Sequence, residues 1–184
     1  MNNNFILTLD NLITQKECKD LIKNFNNNLI KDEKTFRNYY FCDIDVNSFK
    51  YTHLIYDVIE KYKKKYKEID MTSSFWILNK LRYKLFKKGN YFSDWHSEHN
   101  FVNPYRLLAI QIYLTDHNCG TEFFFKKTIL SKSGRICLFP AYFTHTHKGQ
   151  PDFKKNRSII TGYVEFIKKG LKEWLTKFIL AILI

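Results

Sequence analysis

The sequence lacks any closely spaced cysteine pair. Its four cysteines, Cys18, Cys42, Cys119 and Cys137, are far apart, so neither a C-x-x-C redox motif nor a cysteine-based zinc site is present. Free thiols in a reducing compartment are the expectation. Long apolar runs are missing too: no window reaches the roughly eighteen residues of a membrane-spanning helix. The opening "MNNNFILTLDN" has no basic start and only a short apolar run, unlike a secretory leader. A cytoplasmic location is therefore expected. Arginine is also scarce. Only five of the 30 basic residues are Arg, so the formal net charge of +12 reads first as a solvated lysine-rich surface. Binding to nucleic acid is the alternative left open.

What is present suits a folded domain. Hydrophobic residues make up 45% of the 184 and aromatics 17%, well outside a disordered composition and enough for one core. No internal repeat or linker interrupts the chain. Within that single unit we expect a supporting segment over residues 1–70, a β-rich core over 71–167 and an apolar helix over 168–184.

"FILTLDN" (5–11) reads as a short strand. In "ITQKECKDLIKNF", Thr14 followed by Glu17 three residues on is the capping box of a helix start, with Leu21, Ile22 and Phe25 on the buried face. Tyr51, Leu54, Ile55, Val58 and Ile59 at helical spacing predict a second helix over 48–69. From residue 72 the pattern changes to short β-branched and aromatic runs: "FWILNKLRYKLF", "RLLAIQIYLTD", "TEFFFKKTIL", "GRICLFPAYF" and "RSIITGYVEFI". Two helices followed by many strands predict a mainly β, α+β architecture: a sandwich or barrel with helices on one side. The tail "KKGLKEWLTKFILAILI" places Leu171, Trp174, Leu175, Phe178, Ile179, Ile182 and Leu183 at helical spacing. That helix would dock on the sheet, or contact a membrane surface or a partner.

The chemistry concentrates in "DWHSEH" (94–99) and "FTHTHKGQP" (143–151). On a strand His96 and Glu98 share a face, so H-x-E can offer an imidazole and a carboxylate to one ion. Pairing His96 with His99 would need a helix, which the flanking Asn, Pro and Gly disfavour. His145 and His147 also share a face and follow the strand "CLFPAYF". Two histidines and a carboxylate on one side of a barrel form the facial triad of non-haem Fe(II) sites, which keeps positions open for cosubstrate and dioxygen. One histidine of each pair can equally be a packed residue, and for His99 and His145 that is the expectation.

Arg157 stands ten residues after His147. H-x-E, a distant His and a basic residue ten positions on resemble the 2-oxoglutarate- and Fe(II)-dependent oxygenases, especially their prolyl-4-hydroxylase-like branch. "LFKKGNYFSDWHSE" is similar to that branch's strand, turn and H-x-D/E. "RLLAIQIYLTDHNCGTEFFF" resembles its R…YLN…GGxTxF segment, and "GRICLFPAYFTHTHKGQP" its G…FP…HxGxP. The resemblance spans about residues 76–166. It implies a double-stranded β-helix (jelly-roll) core and selects His147 over His145 as the third metal ligand, after His96 and Glu98. It further implies that Arg157 grips the distal carboxylate of 2-oxoglutarate and that Thr121 contacts the cosubstrate. The implied activity is hydroxylation of a C–H bond using O2, with 2-oxoglutarate converted to succinate and ascorbate restoring Fe(II). A prolyl or similar peptide side chain is the expected substrate; a small molecule or a nucleic-acid base is the alternative. A binding module that has lost turnover is a further one.

Three departures from the family pattern stand out. Glu98 replaces the usual Asp, and Cys119-Gly120 replaces the double glycine. The cosubstrate-contacting Tyr of the family falls either on Tyr83, by a short insertion, or on Phe86, by the simplest alignment.

Overall fold

A computed structural model describes residues 4–32, 38–72 and 76–167. The apolar tail expected to form a helix lies outside these residues. Among them are β1 (Leu7–Leu9), α1 (Gln15–Asn26), β2 (Ile30–Asp32), β3 (Tyr39–Ile44), α2 (Thr52–Lys65), β4 (Trp76–Phe86), β5 (Arg106–Tyr113), β6 (Gly120–Phe123), β7 (Lys127–Leu130), β8 (Arg135–Pro140), β9 (His147–Gly149) and β10 (Arg157–Phe166). Seven strands form a major sheet in the order β1-β8-β5-β10-β4-β3-β2, and β7-β6-β9 form a minor one. This is the two-sheet jelly roll expected from the sequence.

The helix starts follow local chemistry. Thr14 and Glu17 close the capping box: the Glu17 amide donates to Thr14 Oγ1 (3.2 Å), and the Thr14 amide donates to Glu17 Oε2 (2.9 Å). α2 buries Ile55, Val58, Ile59 and Tyr62. The Tyr62 hydroxyl donates to the Phe5 carbonyl (2.8 Å), tying the helix to the chain's first described residues.

Period-two alternation in the long strands builds two cores, one on each face of the major sheet. Leu81, Tyr83 and Leu85 of β4, Ile110 and Ile112 of β5, and Ile160 and Val164 of β10 join the two helices in one cluster. Phe86, Ala109, Tyr113, Ile159 and Tyr163 face the other way, towards Phe123 and Ile129 of the minor sheet. Everything that faces the minor sheet can line a cavity; everything that faces the helices supports it.

Two details differ from expectation. The run 121–130 is not one strand: Lys126, at φ +61°, turns it into the β6–β7 hairpin. The sequence reading placed no strand at Tyr39–Ile44, which as β3 extends the sheet. β3 pairs with β4 in register Cys42 to Tyr83.

Candidate active site

Beyond β4 the chain crosses to the minor sheet as an irregular segment that touches β9 at a single antiparallel bridge. There the His96 amide donates to the His147 carbonyl (3.0 Å) and the His147 amide donates to the His96 carbonyl (2.9 Å). The strand expected through H-x-E is thus one bridge and not a ladder. That bridge is sufficient to make the two histidines direct cross-strand neighbours, with ring centroids 4.4 Å apart.

Their orientation is set by the backbone. His96 Nδ1 lies 2.9 Å from the Asp94 carbonyl, and His147 Nδ1 lies 2.9 Å from the His145 carbonyl. A carbonyl can only accept, so each Nδ1 carries the proton and each Nε2 keeps its lone pair. Both Nε2 atoms face Glu98 Oε1, at 3.7 and 3.8 Å. Burial pushes His147 down to about 4, helped by the neighbouring His96, so its imidazole is neutral near pH 7. Burial works against the Glu98 charge, but the facing His96 and His147 rings and the nearby Lys84 outweigh it, and the carboxyl stays below the ordinary range. Two imidazoles and one carboxylate within 4.8 Å of one another suit a divalent first-row metal.

The second carboxylate oxygen is held separately. Arg106, at the start of β5, donates to Glu98 Oε2 at 2.9 Å, and its guanidinium lies 3.4 Å from the centroid of the Tyr163 ring. Oε1 is left to face the histidines. The sequence reading overlooked Arg106.

The same cavity continues inward to Arg157, which is buried. One guanidinium nitrogen donates to the Gly120 carbonyl (2.9 Å), and the group lies over the Phe86 ring, 4.9 Å from its centroid. Among the described residues no carboxylate forms an ion pair with it. A buried guanidinium without a counter-charge is costly, so this end of the cavity is built for an anion. Gly149 is part of that fit, since a Cβ there would come within 3.2 Å of the guanidinium.

Thr121 lines the cavity as expected, and Tyr113 and Gln111 join it. The Tyr113 hydroxyl lies 2.8 Å from Thr121 Oγ1 and 2.7 Å from Gln111 Oε1, and Thr121 donates to Gln111 (2.6 Å). The sequence reading missed Tyr113 and Gln111, although a Gln amid "LLAIQIYL" signalled an inward polar position. Tyr83 requires a correction. It lies on the helix-facing side of β4, with its hydroxyl 3.0 Å from both Ser158 Oγ and Asn26 Oδ1. It therefore cannot reach the cavity; Phe86, paired in register with Arg157, takes the inward place.

His99 packs on Tyr142, and His145 is buried beside Phe123 and Phe139, with Nε2 at 2.8 Å from the Asn4 carbonyl. A second cluster, His117, Cys119 and Asp152, borders a hollow of about 700 Å³. There both His117 nitrogens are already engaged, by Asp152 and Thr115, and burial pushes the Cys119 thiol up. This is a hydrogen-bonded brace, whereas the lone pairs at His96 and His147 are available.

Solved structures share this fold over about nine-tenths of the chain. A viral collagen prolyl hydroxylase from Paramecium bursaria Chlorella virus-1, in complex with 2-oxoglutarate, aligns with a TM-score of 0.68 and 18% identity, covering 90% of this chain and 98% of its own. The fold is that of the prolyl hydroxylases. A Pseudomonas putida prolyl-4-hydroxylase shares this prolyl-hydroxylase fold, with a TM-score of 0.70 and 11% identity over 90% of this chain and 95% of that one. A Trichoplax adhaerens prolyl hydroxylase, in complex with a hypoxia-inducible-factor peptide fragment, aligns with a TM-score of 0.63 and 11% identity over 89% and 85%. No family model and no curated protein matches the sequence itself. No helix among the described residues is long and apolar enough to cross a membrane.

Proposed function

We propose that this protein is a 2-oxoglutarate- and Fe(II)-dependent oxygenase that hydroxylates a C–H bond of a peptide side chain, prolyl or similar. The observation that carries the reading is the buried, anion-seeking Arg157 in the same cavity as the His96, Glu98 and His147 donors. These three residues would hold the iron, and the donor set fits it. When bound, the metal supplies the redox chemistry that couples decarboxylation of 2-oxoglutarate to oxidation of the substrate by O2, with ascorbate keeping it ferrous.

The chain's own residues supply position and exclusion. Arg157 takes the distal carboxylate of 2-oxoglutarate, with the Tyr113 and Thr121 hydroxyls as further donors from the facing strands. Phe86 and Ile159 wall that end against water. The two backbone carbonyls fix the imidazole tautomers, and Arg106 fixes the rotamer of Glu98, so the donors are in place before a ligand arrives.

Succinate release from 2-oxoglutarate with Fe(II) tests the reading. His96→Ala should abolish it. Arg157→Ala should raise the KM for 2-oxoglutarate on the order of 100-fold, the loss of a charge-assisted bidentate pair. Undiminished turnover in either variant would sink the assignment.

A further inference from the structure

The metal cavity opens outward into a groove of about 290 Å³ between β4 and the segment 96–106. Its floor comes from the inward face of β4, where Lys80, Arg82 and Lys84 alternate with the helix-facing Leu81, Tyr83 and Leu85. Arg106 closes the opposite side. Among the described residues, four cations thus line a concave wall together with one acidic residue, Glu98, which is shared between Arg106 and the metal donors. Outside the lining, Asp43 offsets Arg82, at 2.6 and 2.9 Å, and stands 4.0 Å from Lys80, and Glu165 stands 3.5 Å from Arg106, which leaves the two lysines as the groove's donors to a ligand. Lys84 occupies the decisive place. It lines both the groove and the inner cavity, and its charge bears on Glu98 and His147. A cationic wall in a cleft focuses positive potential at its mouth, and a bound divalent metal would add to it.

The aromatic residues decide which kind of polyanion fits. Arg106 lies over the Tyr163 ring, Phe92 is tilted against His96 at 4.1 Å between centroids, and Tyr39 contacts Phe86, Phe41 and Lys84. Ring faces committed in this way offer no platform for a base, which nucleic-acid readers of single strands need. A groove with charged donors and engaged rings suits an extended peptide with acidic side chains.

Resting on the oxygenase reading above, we infer that the substrate is a peptide bearing Asp or Glu next to the residue that enters the metal cavity. Lys84 is the residue that selects it. The carboxylate meets Lys84 where groove and cavity join, and Lys80 extends the selection outward along the strand.

The test compares fluorescein-labelled peptides of equal length, with a central proline flanked by Glu, Gln or Lys, and an oligothymidylate. Binding is followed by anisotropy on the full chain with Mn(II) and 2-oxoglutarate under nitrogen, which prevents turnover. The Glu peptide should bind about tenfold more tightly than the Gln peptide at low salt, and the Lys peptide more weakly than either. Lys84→Gln should bring the Glu-to-Gln ratio towards unity, and Lys84→Arg should restore it. Equal binding of the Glu and Gln peptides, or a preference unchanged in Lys84→Gln, overturns the inference. So does oligothymidylate binding more tightly than every peptide. Repeating the peptide comparison without metal and cosubstrate reports on the groove alone. A thermal shift with 2-oxoglutarate reports on the oxygenase reading, so the two failures are told apart.

Discussion

At the scale of single residues, the least typical member of the site is also the best supported. Glu98 is one methylene longer than the aspartate common in the resembling family, and a longer carboxylate has more rotamers to lose. Arg106 removes that freedom by holding Oε2 while Oε1 faces the histidines. Arg106→Ala should therefore weaken Mn(II) affinity and turnover by about 10–100-fold, as loss of a ligand-orienting partner commonly does. Titration of metal binding by thermal shift, beside kcat and KM for 2-oxoglutarate, checks this. Affinity equal to wild type would show that Glu98 orients itself. Tyr83 provides the opposite case. The choice between Tyr83 and Phe86 was open from sequence, because parity along a strand does not say which face meets the helices. Once β4 is seen to give Leu81, Tyr83 and Leu85 to the helices, parity puts Phe86, not Tyr83, on the cavity side. Tyr83→Phe should leave the KM for 2-oxoglutarate unchanged and cost about 1 kcal/mol of stability through the lost Ser158 and Asn26 contacts. A raised KM would restore Tyr83 to the site.

At the scale of elements, what was legible followed local rules. The capping box placed the start of α1, and the apolar spacing placed α2. The β-rich runs after residue 72 became strands in nearly the same places. Thr14→Ala should cost α1 about 1 kcal/mol, which for a domain of this size lowers Tm by about 2–4 °C; thermal unfolding followed by circular dichroism measures it. Elements without a local signature were missed. β3 has no strong alternation and exists because β4 offers it an edge, with Arg82 of β4 held by Asp43 of β3. The bridge at His96 and His147 is likewise non-local: two amides and two carbonyls from chain segments some fifty positions apart, invisible to any window along the sequence. The His96, Glu98 and His147 donors could be anticipated as a set only because the motif and its +10 arginine resembled a known pattern. The cationic floor of the groove had no such pattern to betray it.

At the scale of the molecule, burial of histidine couples the site to overall stability. His117, His145 and His147 all titrate below their ordinary value of 6.5, each chiefly because burial disfavours the charged ring. A depressed folded-state value means that the unfolded chain takes up protons first as the pH falls. The stability these neutral rings contribute is then complete above about pH 6.5 and is lost as the pH drops through the folded values, about 4 for His147. Without metal, Tm should decline by several degrees between about pH 6.5 and 5, above the range in which the carboxylates titrate. A metal bound at His96, Glu98 and His147 changes the slope as well as the height, because ligation requires the same neutral imidazoles. Mn(II) should raise Tm most near neutral pH, and the increment should shrink towards pH 5 as protons compete for Nε2. His147→Gln should remove most of the increment while flattening the metal-free decline, since one of the three rings no longer titrates. Thermal unfolding at stepped pH, with Mn(II) and with a chelator, measures both. A metal increment that persists unchanged in His147→Gln would place the ion elsewhere, with the His117, Cys119 and Asp152 cluster the next place to look.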